Sequence, residues 1–239
     1  MKLASIVPVQ NIERTFDGEY AMMLTHLMNC YPARKEIDHP CYRILDNSLI
    51  ELGGAVSLDR LLEAAEQCEA DEIILPDVFL DAHATLSSVY DSLEGLDRLG
   101  LLHKYRLMAV CQGETPSQFE YCFRMLESLK DIHCIGIPKV AAKIHLHGRP
   151  GFEYLWQGSP KAIHLLGCWY NLSEFREYVH PECIRSADTC IPALNAMSGK
   201  RTWETRVEDH TIDLIHDDLT PHMAEYEKIL ETLKGEHLL

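Results

Sequence analysis

Arg106-Leu107-Met108-Ala109-Val110-Cys111-Gln112-Gly113-Glu114-Thr115-Pro116 reads as a buried strand, a polar stop and the opening of a helix. The unbroken apolar run fits a strand covered on both faces, as in parallel sheets. Gln112-Gly113 ends it, and Thr115 followed by Pro116 supplies a helix N-cap and a first-turn proline.

Working outward, the same strand-then-polar-end unit recurs at Ala4–Val9, Tyr42–Asp46, Glu72–Asp77, His133–Gly136, Ala162–Gly167 and Ile184–Asp188. Helical segments fall between these runs. Ser57 caps one through Cys68, Asp81 starts one to about Leu96, and Asn171 caps one over Leu172–Val179. Thr220-Pro221 opens a last amphipathic helix to about Leu233. An earlier apolar stripe (Met22, Met23, Leu27, Cys30) predicts a helix from about Glu19 to Cys30. Tyr31–Cys41, holding Pro32 and Pro40, reads as a loop, and Thr211–His216 as an eighth strand.

Alternation of this kind predicts an α/β fold, a (β/α)8 TIM-like barrel forming a single domain over residues 1–239. An open doubly wound sheet is the competing architecture, but no G-x-G-x-x-G follows any strand. In a barrel the polar ends Asp46, Asp77, Gln112 and Asp188 gather on the rim where such folds do chemistry. Converging carboxylates there point to acid/base or nucleophilic work on a neutral or cationic centre.

The composition narrows the partners. A net charge of −15 argues against nonspecific grip on nucleic acid, which needs Lys and Arg. The charge is uneven, however. Between Ser57 and Arg98 the only bases are Arg60 and Arg98, whereas Lys139, Lys143 and Arg149 stand in a stretch free of acids. Lys200, Arg201 and Arg206 form a second basic cluster, diluted by Glu204. These stretches are either a local phosphate-facing side or solvated faces. Nine cysteines, none paired as C-x-x-C, read as reduced core thiols. No apolar run reaches ~18 residues and Met1-Lys2-Leu3-Ala4 opens no signal peptide, so no membrane partner and a cytoplasmic location are expected. The oligomeric state is not legible. His145-x-His147 invites a metal, but no H-E-x-x-H or cysteine cluster accompanies it, so neither metal nor cofactor is expected.

Each rim residue carries two readings. Asp188 at a strand end can attack a sugar C1′, because an anion stabilises an oxocarbenium-like state; otherwise it caps a helix or pairs with Arg185. Asp46 can shuttle protons as the second carboxylate, while Asp46-Asn47 is also a common turn pair. Glu51 is a third acid on the same loop. Asp77, made rigid by Pro76, can accept from a ring N–H and an exocyclic amine, or cap the next helix. Gln112 and Gly113 offer an amide and a backbone N–H beside it. Gly136 and Gly167 would let a flat ring approach the strand backbone, though glycine at a strand end is also ordinary.

The ordered set Leu45-Asp46-Asn47-Ser48-Leu49-Ile50-Glu51, Leu75-Pro76-Asp77, Val110-Cys111-Gln112-Gly113, Ile135-Gly136-Ile137-Pro138, His164-Leu165-Leu166-Gly167 and Arg185-Ser186-Ala187-Asp188-Thr189 resembles the tRNA-guanine transglycosylase superfamily. It looks closest to the shorter, phage-type DpdA branch, which exchanges guanine in DNA for a 7-deazaguanine. The resemblance spans roughly residues 42–190.

The resemblance implies a base-exchanging pentosyltransferase with Asp188 as nucleophile and Asp46 as general acid/base. It also implies a base pocket of Asp77, Gln112, Asn47 and backbone at Gly113, Gly136 and Gly167. DNA and a 7-deazaguanine base such as preQ0 would be the partners, in host cytoplasm if the chain is phage-encoded. Lys139, Lys143, Arg149, Lys200 and Arg201 would face the nucleic acid. The departures separate this chain from tRNA enzymes. Those carry Asp-Ser-Gly-Gly-Phe-Gln where Asp46-Asn-Ser-Leu-Ile-Glu stands here. They place arginines after the nucleophile, where Ile191-Pro-Ala-Leu-Asn-Ala-Met follows here, and carry a cysteine-rich zinc motif that is missing. A tRNA-acting enzyme, a catalytically silent nucleic-acid-binding or partner paralogue, and an unrelated barrel enzyme on a small phosphorylated sugar are the alternatives, though phosphate sites after the seventh strand prefer glycine and backbone N–H groups.

Overall fold

Eight parallel strands close into one barrel in strict chain order, β1 through β8, with β1 also pairing β8. A computed structural model describes residues 1–14, 20–31, 41–168, 172–204 and 211–236. Asn171, Arg206 and the prolines of the expected 31–41 loop lie outside the described residues. The strands are β1 Lys2–Ser5, β2 Tyr20–Leu24, β3 Tyr42–Asp46, β4 Glu72–Ile74, β5 Arg106–Val110, β6 Cys134–Pro138, β7 Ala162–Leu166 and β8 Ser186–Thr189. Between and after them run the helices α1 Leu49–Leu52, α2 Leu58–Cys68, α3 Ala82–Arg98, α4 Pro116–Ser128, α5 Ala141–Ile144, α6 Glu153–Trp156, α7 Ile191–Met197 and α8 Met223–Gly235.

The barrel's inside and outside follow residue parity. Ala4, Met22, Leu24, Ile44, Ile74, Met108, Val110 and Cys134 form one apolar cluster within the barrel. Their odd-numbered neighbours Leu3, Met23, Leu45, Ile73, Leu107, Ile135, Ile163, Leu165 and Ala187 belong to the other cluster, between strands and helices. Period-two alternation therefore turns every even position inward, including Asp46, Gly136, His164, Ser186 and Asp188. At the strand starts the interior is closed by a polar plug. The buried Glu72 accepts from the Tyr42 hydroxyl at 2.6 Å and from Arg185 Nη1 at 2.7 Å.

Local signals position the helices. Ser57 Oγ accepts the Arg60 N–H, Asp81 Oδ1 the Ala84 N–H, and Thr115 Oγ1 the Gln118 N–H, each closing an orphan donor. Several elements differ from expectation: the first strand is Lys2–Ser5 rather than Ala4–Val9, with a 3₁₀ turn over Val9–Arg14. Tyr20–Leu24 is a strand, with a 3₁₀ turn over Thr25–Cys30, rather than one helix. Both faces of that segment are buried, so its apolar run fits either period. Thr211–His216 is no strand: β1 and β8 pair directly, leaving no edge for it, and its Leu214 carbonyl accepts the Val9 N–H just beyond β1. Residues Leu172–Val179 shorten to a 3₁₀ turn at Ser173–Arg176.

Candidate active site at the barrel mouth

A cavity of about 360 Å³ opens at the strand C-terminal ends, lined by Asp46, Asn47, Glu51, Asp77, Gln112, Lys139, Lys143, Gly167 and Asp188. Its remaining walls are mainly apolar, including Ile6, Met22, Leu24, Ile50, Phe79, Val110 and Leu166. Low-dielectric walls of this kind strengthen any charge interaction inside.

Asp188 is 4% exposed; its Oδ1 accepts the Gly167 N–H at 3.1 Å and lies 3.1 Å from His164 Nε2. Its Oδ2 takes no hydrogen bond from the described residues. Neither bland reading of Asp188 holds, since Arg185 pairs with Glu72 and the next helix has Cys190 at its N-cap. Gly167 has φ +64°, a conformation that suits glycine, and its N–H donates to the carboxylate.

Asp46 ends β3 and its Oδ2 accepts the Ser48 N–H at 2.7 Å, so the turn geometry is present as well. Burial pushes its carboxyl well above the usual range, with the Glu51, Asp188 and Asp77 charges adding to the rise. The Ser48 N–H pulls weakly the other way. Ser48 itself sits at φ +56°, a costly backbone for a non-glycine residue. Its hydroxyl meets the His26 N–H at 3.2 Å and His26 Nδ1 at 2.9 Å, which holds the loop in place.

Asp77 is not a helix cap; that role belongs to Asp81. Its Oδ1 accepts from Asn47 Nδ2 and its Oδ2 from Gln112 Nε2, each at 2.7 Å. Burial lifts this carboxyl to about 6 against the pull of those two amides. Asn47 Nδ2 also reaches the Leu75 carbonyl, and Gln112 Oε1 accepts the Leu80 N–H. The three side chains are thus fixed with one another before anything binds.

Other expected site residues are placed elsewhere. Gly113 packs against the first turn of α4, where an added Cβ would stand 2.6 Å from the Phe119 nitrogen. Gly136 is covered by Leu166 and Met108 inside the barrel. Neither lines the cavity. Arg149 is fully buried and so does not face nucleic acid. Its guanidinium bonds both oxygens of Glu174 and the carbonyls of Ile137 and Leu166. Sequence reasoning missed Glu174 because the acid lies far along the chain from the base it neutralises. Lys139 reaches the same Glu174 at 2.6 Å while still lining the cavity. Lys200 and Arg201 follow the end of α7 and are not part of the mouth. His164 is the one polar side chain in the Ala162–Leu166 strand, and its even position between Ile163 and Leu165 is the sequence signal that it points into the barrel.

Among the described residues no three His, Cys, Asp or Glu side chains are grouped to hold a metal ion, and no helix is long and apolar enough to cross a membrane.

Comparisons with known proteins locate the fold. No family model matches the chain, and no curated protein does. Solved structures do. D-psicose 3-epimerase from Clostridium cellulolyticum H10 superposes with a TM-score of 0.54 at 8% identity, covering 98% of this chain and 99% of that one. Monomers of dimeric phosphoribosylanthranilate isomerase from Thermotoga maritima give 0.51 at 10% identity, over 98% and 100%. N-acetylneuraminate lyase from Mycoplasma synoviae gives 0.51 at 9% identity, over 96% and 97%. At such identities the likeness is one of fold. The chain is a TIM barrel. The transglycosylase resemblance finds no counterpart among these matches.

Proposed function

We propose that this TIM barrel exchanges guanine in DNA for a 7-deazaguanine base such as preQ0, through a covalent aspartyl–sugar intermediate. One observation carries the reading: Asp46 and Asp188, 142 residues apart by number (188 − 46), line the same cavity beside the Asp77–Gln112–Asn47 cluster. The names of its structural neighbours, an epimerase, an isomerase and a lyase, favour a catalytic use of the barrel mouth.

Asp188 Oδ2 attacks the sugar C1′ as the bond from C1′ to guanine N9 breaks. Guanine leaves with the proton held by Asp46, whose raised affinity for protons suits a general acid. The incoming base then gives its N9 proton to the Asp46 carboxylate and its nitrogen displaces Asp188 from C1′. Asp77, held by Asn47 and Gln112, has oxygen lone pairs left for a base's ring N–H and exocyclic amine. The target base must leave its stack, at a cost of a few kcal/mol. Lys139, shared with Glu174, and Lys143 line the mouth and would be the cations that meet phosphate.

Ser48 supports the same reading. The glycine-rich loop of the tRNA enzymes is replaced here, yet Ser48 keeps the left-handed backbone that a glycine adopts freely.

Incubating the protein with DNA and radiolabelled guanine should incorporate label, and Asp188→Ala should abolish it. Omitting the incoming base should leave a denaturation-resistant protein–DNA adduct. A wild type that incorporates no purine, or an Asp188→Ala variant with full activity, overturns the proposal. Incorporation into tRNA alone would transfer the reading to the tRNA-acting alternative.

A further inference from the structure

Behind Asp188 runs a row of buried polar groups that the proposed reaction does not use. His164 and Ser186 are both fully buried on adjacent strands, paired in register across β7 and β8. His164 Nδ1 lies 2.7 Å from Ser186 Oγ, and His164 Nε2 lies 3.1 Å from Asp188 Oδ1. Ser186 Oγ also receives Arg185 Nε at 3.1 Å.

The order of donors fixes the tautomer. Arg185 Nε can only donate, so Ser186 Oγ accepts there. The serine's single hydrogen then has His164 Nδ1 as its partner, since a buried hydroxyl hydrogen left unpaired is costly. His164 Nδ1 therefore accepts, and its remaining hydrogen sits on Nε2, aimed at Asp188 Oδ1. This is not a serine-nucleophile triad. In that arrangement Nε2 faces the serine and Nδ1–H the carboxylate, the reverse of the order here, and Ser186 has no access to the cavity.

We infer that His164 is a positioning residue, held as the Nε2–H tautomer by Ser186, that turns the unbonded Oδ2 of Asp188 into the cavity. The inference rests on the reading of Asp188 as nucleophile; the hydrogen-bonded row itself does not. With Oδ1 held by His164 and by the Gly167 N–H, the carboxylate cannot rotate without breaking two hydrogen bonds. Removing the His164 donor frees that rotation.

Two measurements test it. In protein labelled with ¹⁵N-histidine, long-range proton–nitrogen correlation spectra, assigned by the signal missing in His164→Gln, should show a protonated Nε2 and a bare Nδ1 for His164. An Nδ1–H signal overturns the tautomer, whatever the enzyme's substrate. In the guanine-exchange assay His164→Leu should lower kcat roughly 10- to 100-fold with KM unchanged, as misplacement of a reacting group does. His164→Gln, which can still donate to Oδ1, should recover most of the loss, and Ser186→Ala should fall between. Thermal melts verify that each variant folds. Equal kcat in all variants, or equal losses in His164→Leu and His164→Gln, overturns the positioning role. Absence of exchange by a wild type whose spectrum shows Nε2–H overturns the transglycosylase reading and leaves the hydrogen-bonded row standing.

Discussion

Gln112 and Asp77, 35 residues apart in the chain, are joined by a 2.7 Å hydrogen bond from Nε2 to Oδ2. The same glutamine accepts the Leu80 N–H, and Leu80 holds φ +60°, so one side chain fixes both the acid and the strained loop after it. Backbone conformations of that kind persist only where the surroundings over-determine them. Gln112→Ala should therefore cost about 1–3 kcal/mol in urea unfolding, because Asp77 and the Leu80 N–H both lose a buried partner. A cost indistinguishable from zero would mean that water replaces the amide at no loss.

The pH dependence of stability should carry the signature of Asp77. Its folded carboxyl titrates at about 6 against an ordinary 3.8. Between those values the native state binds a proton that the unfolded chain has released. The stability contributed there is highest at low pH and declines as pH rises through this window. Subtracting the Asp77→Asn curve from the wild-type curve should leave a slope between pH 4 and 6 and a flat line above. A difference that is flat throughout would show that Asp77 titrates as an exposed acid does.

Arg149 and Glu174 should behave as a buried ion pair, with no part in nucleic-acid affinity. Burial pushes the Glu174 carboxyl up, but Arg149 and Lys139 outweigh it and hold the group at about 2. Its contribution is thus present above the ordinary 4.5 and is lost as pH falls toward 2. Glu174→Gln should destabilise by roughly 3–5 kcal/mol at neutral pH, because the Arg149 charge is left uncompensated in the interior. Acid unfolding of this variant should lose the corresponding steep segment. Arg149→Met should leave the salt dependence of DNA binding unchanged.

The strand–helix rhythm was legible because most of the apolar runs end at or just before a polar residue or glycine and the helices open on Ser57, Asp81 and Thr115-Pro116, signals local to a few residues. Tyr20–Leu24 was not. Its Tyr-Ala-Met-Met-Leu run has no polar residue to betray a two-residue period, and methionine and leucine suit helices well. The acids of the site were legible as strand ends, and parity then turns Asp46, Gln112 and Asp188 inward. The basic residues were not. A run of Lys139, Lys143 and Arg149 looks cationic in sequence, but Glu174 arrives from another loop to bury Arg149 and pair with Lys139. Contacts between distant segments leave no local mark, and the same holds for His164, whose partners are supplied by β8.

With Lys139 paired to Glu174, Lys143 is the lining cation on which the proposed DNA contact rests. Lys143→Ala should weaken DNA binding about equally for all sequences and reduce the salt slope by about 1, as loss of one phosphate contact does. Lys200→Ala and Arg201→Ala, lying off the cavity, should leave the slope as it is. A slope altered only by the latter pair would put the DNA on another face.

Asp46 and Asp188 take different parts in the proposed exchange. With its carboxyl pushed well above the usual range, Asp46 is suited to bring a proton to the proposed reaction, and exchange should decline on the alkaline side as that proton is lost. Asp46→Asn should remove this limb and slow guanine release by about 10²- to 10⁴-fold, the worth of a positioned general acid. A 7-methylguanine leaving group already carries a positive charge and needs no proton to depart. Asp46→Asn should therefore regain most of its rate on DNA containing 7-methylguanine, whereas Asp188→Ala should not, since the attacking oxygen is still missing. Equal rescue of both variants would mean that the base leaves without covalent capture, and that Asp188 acts only as a nearby charge.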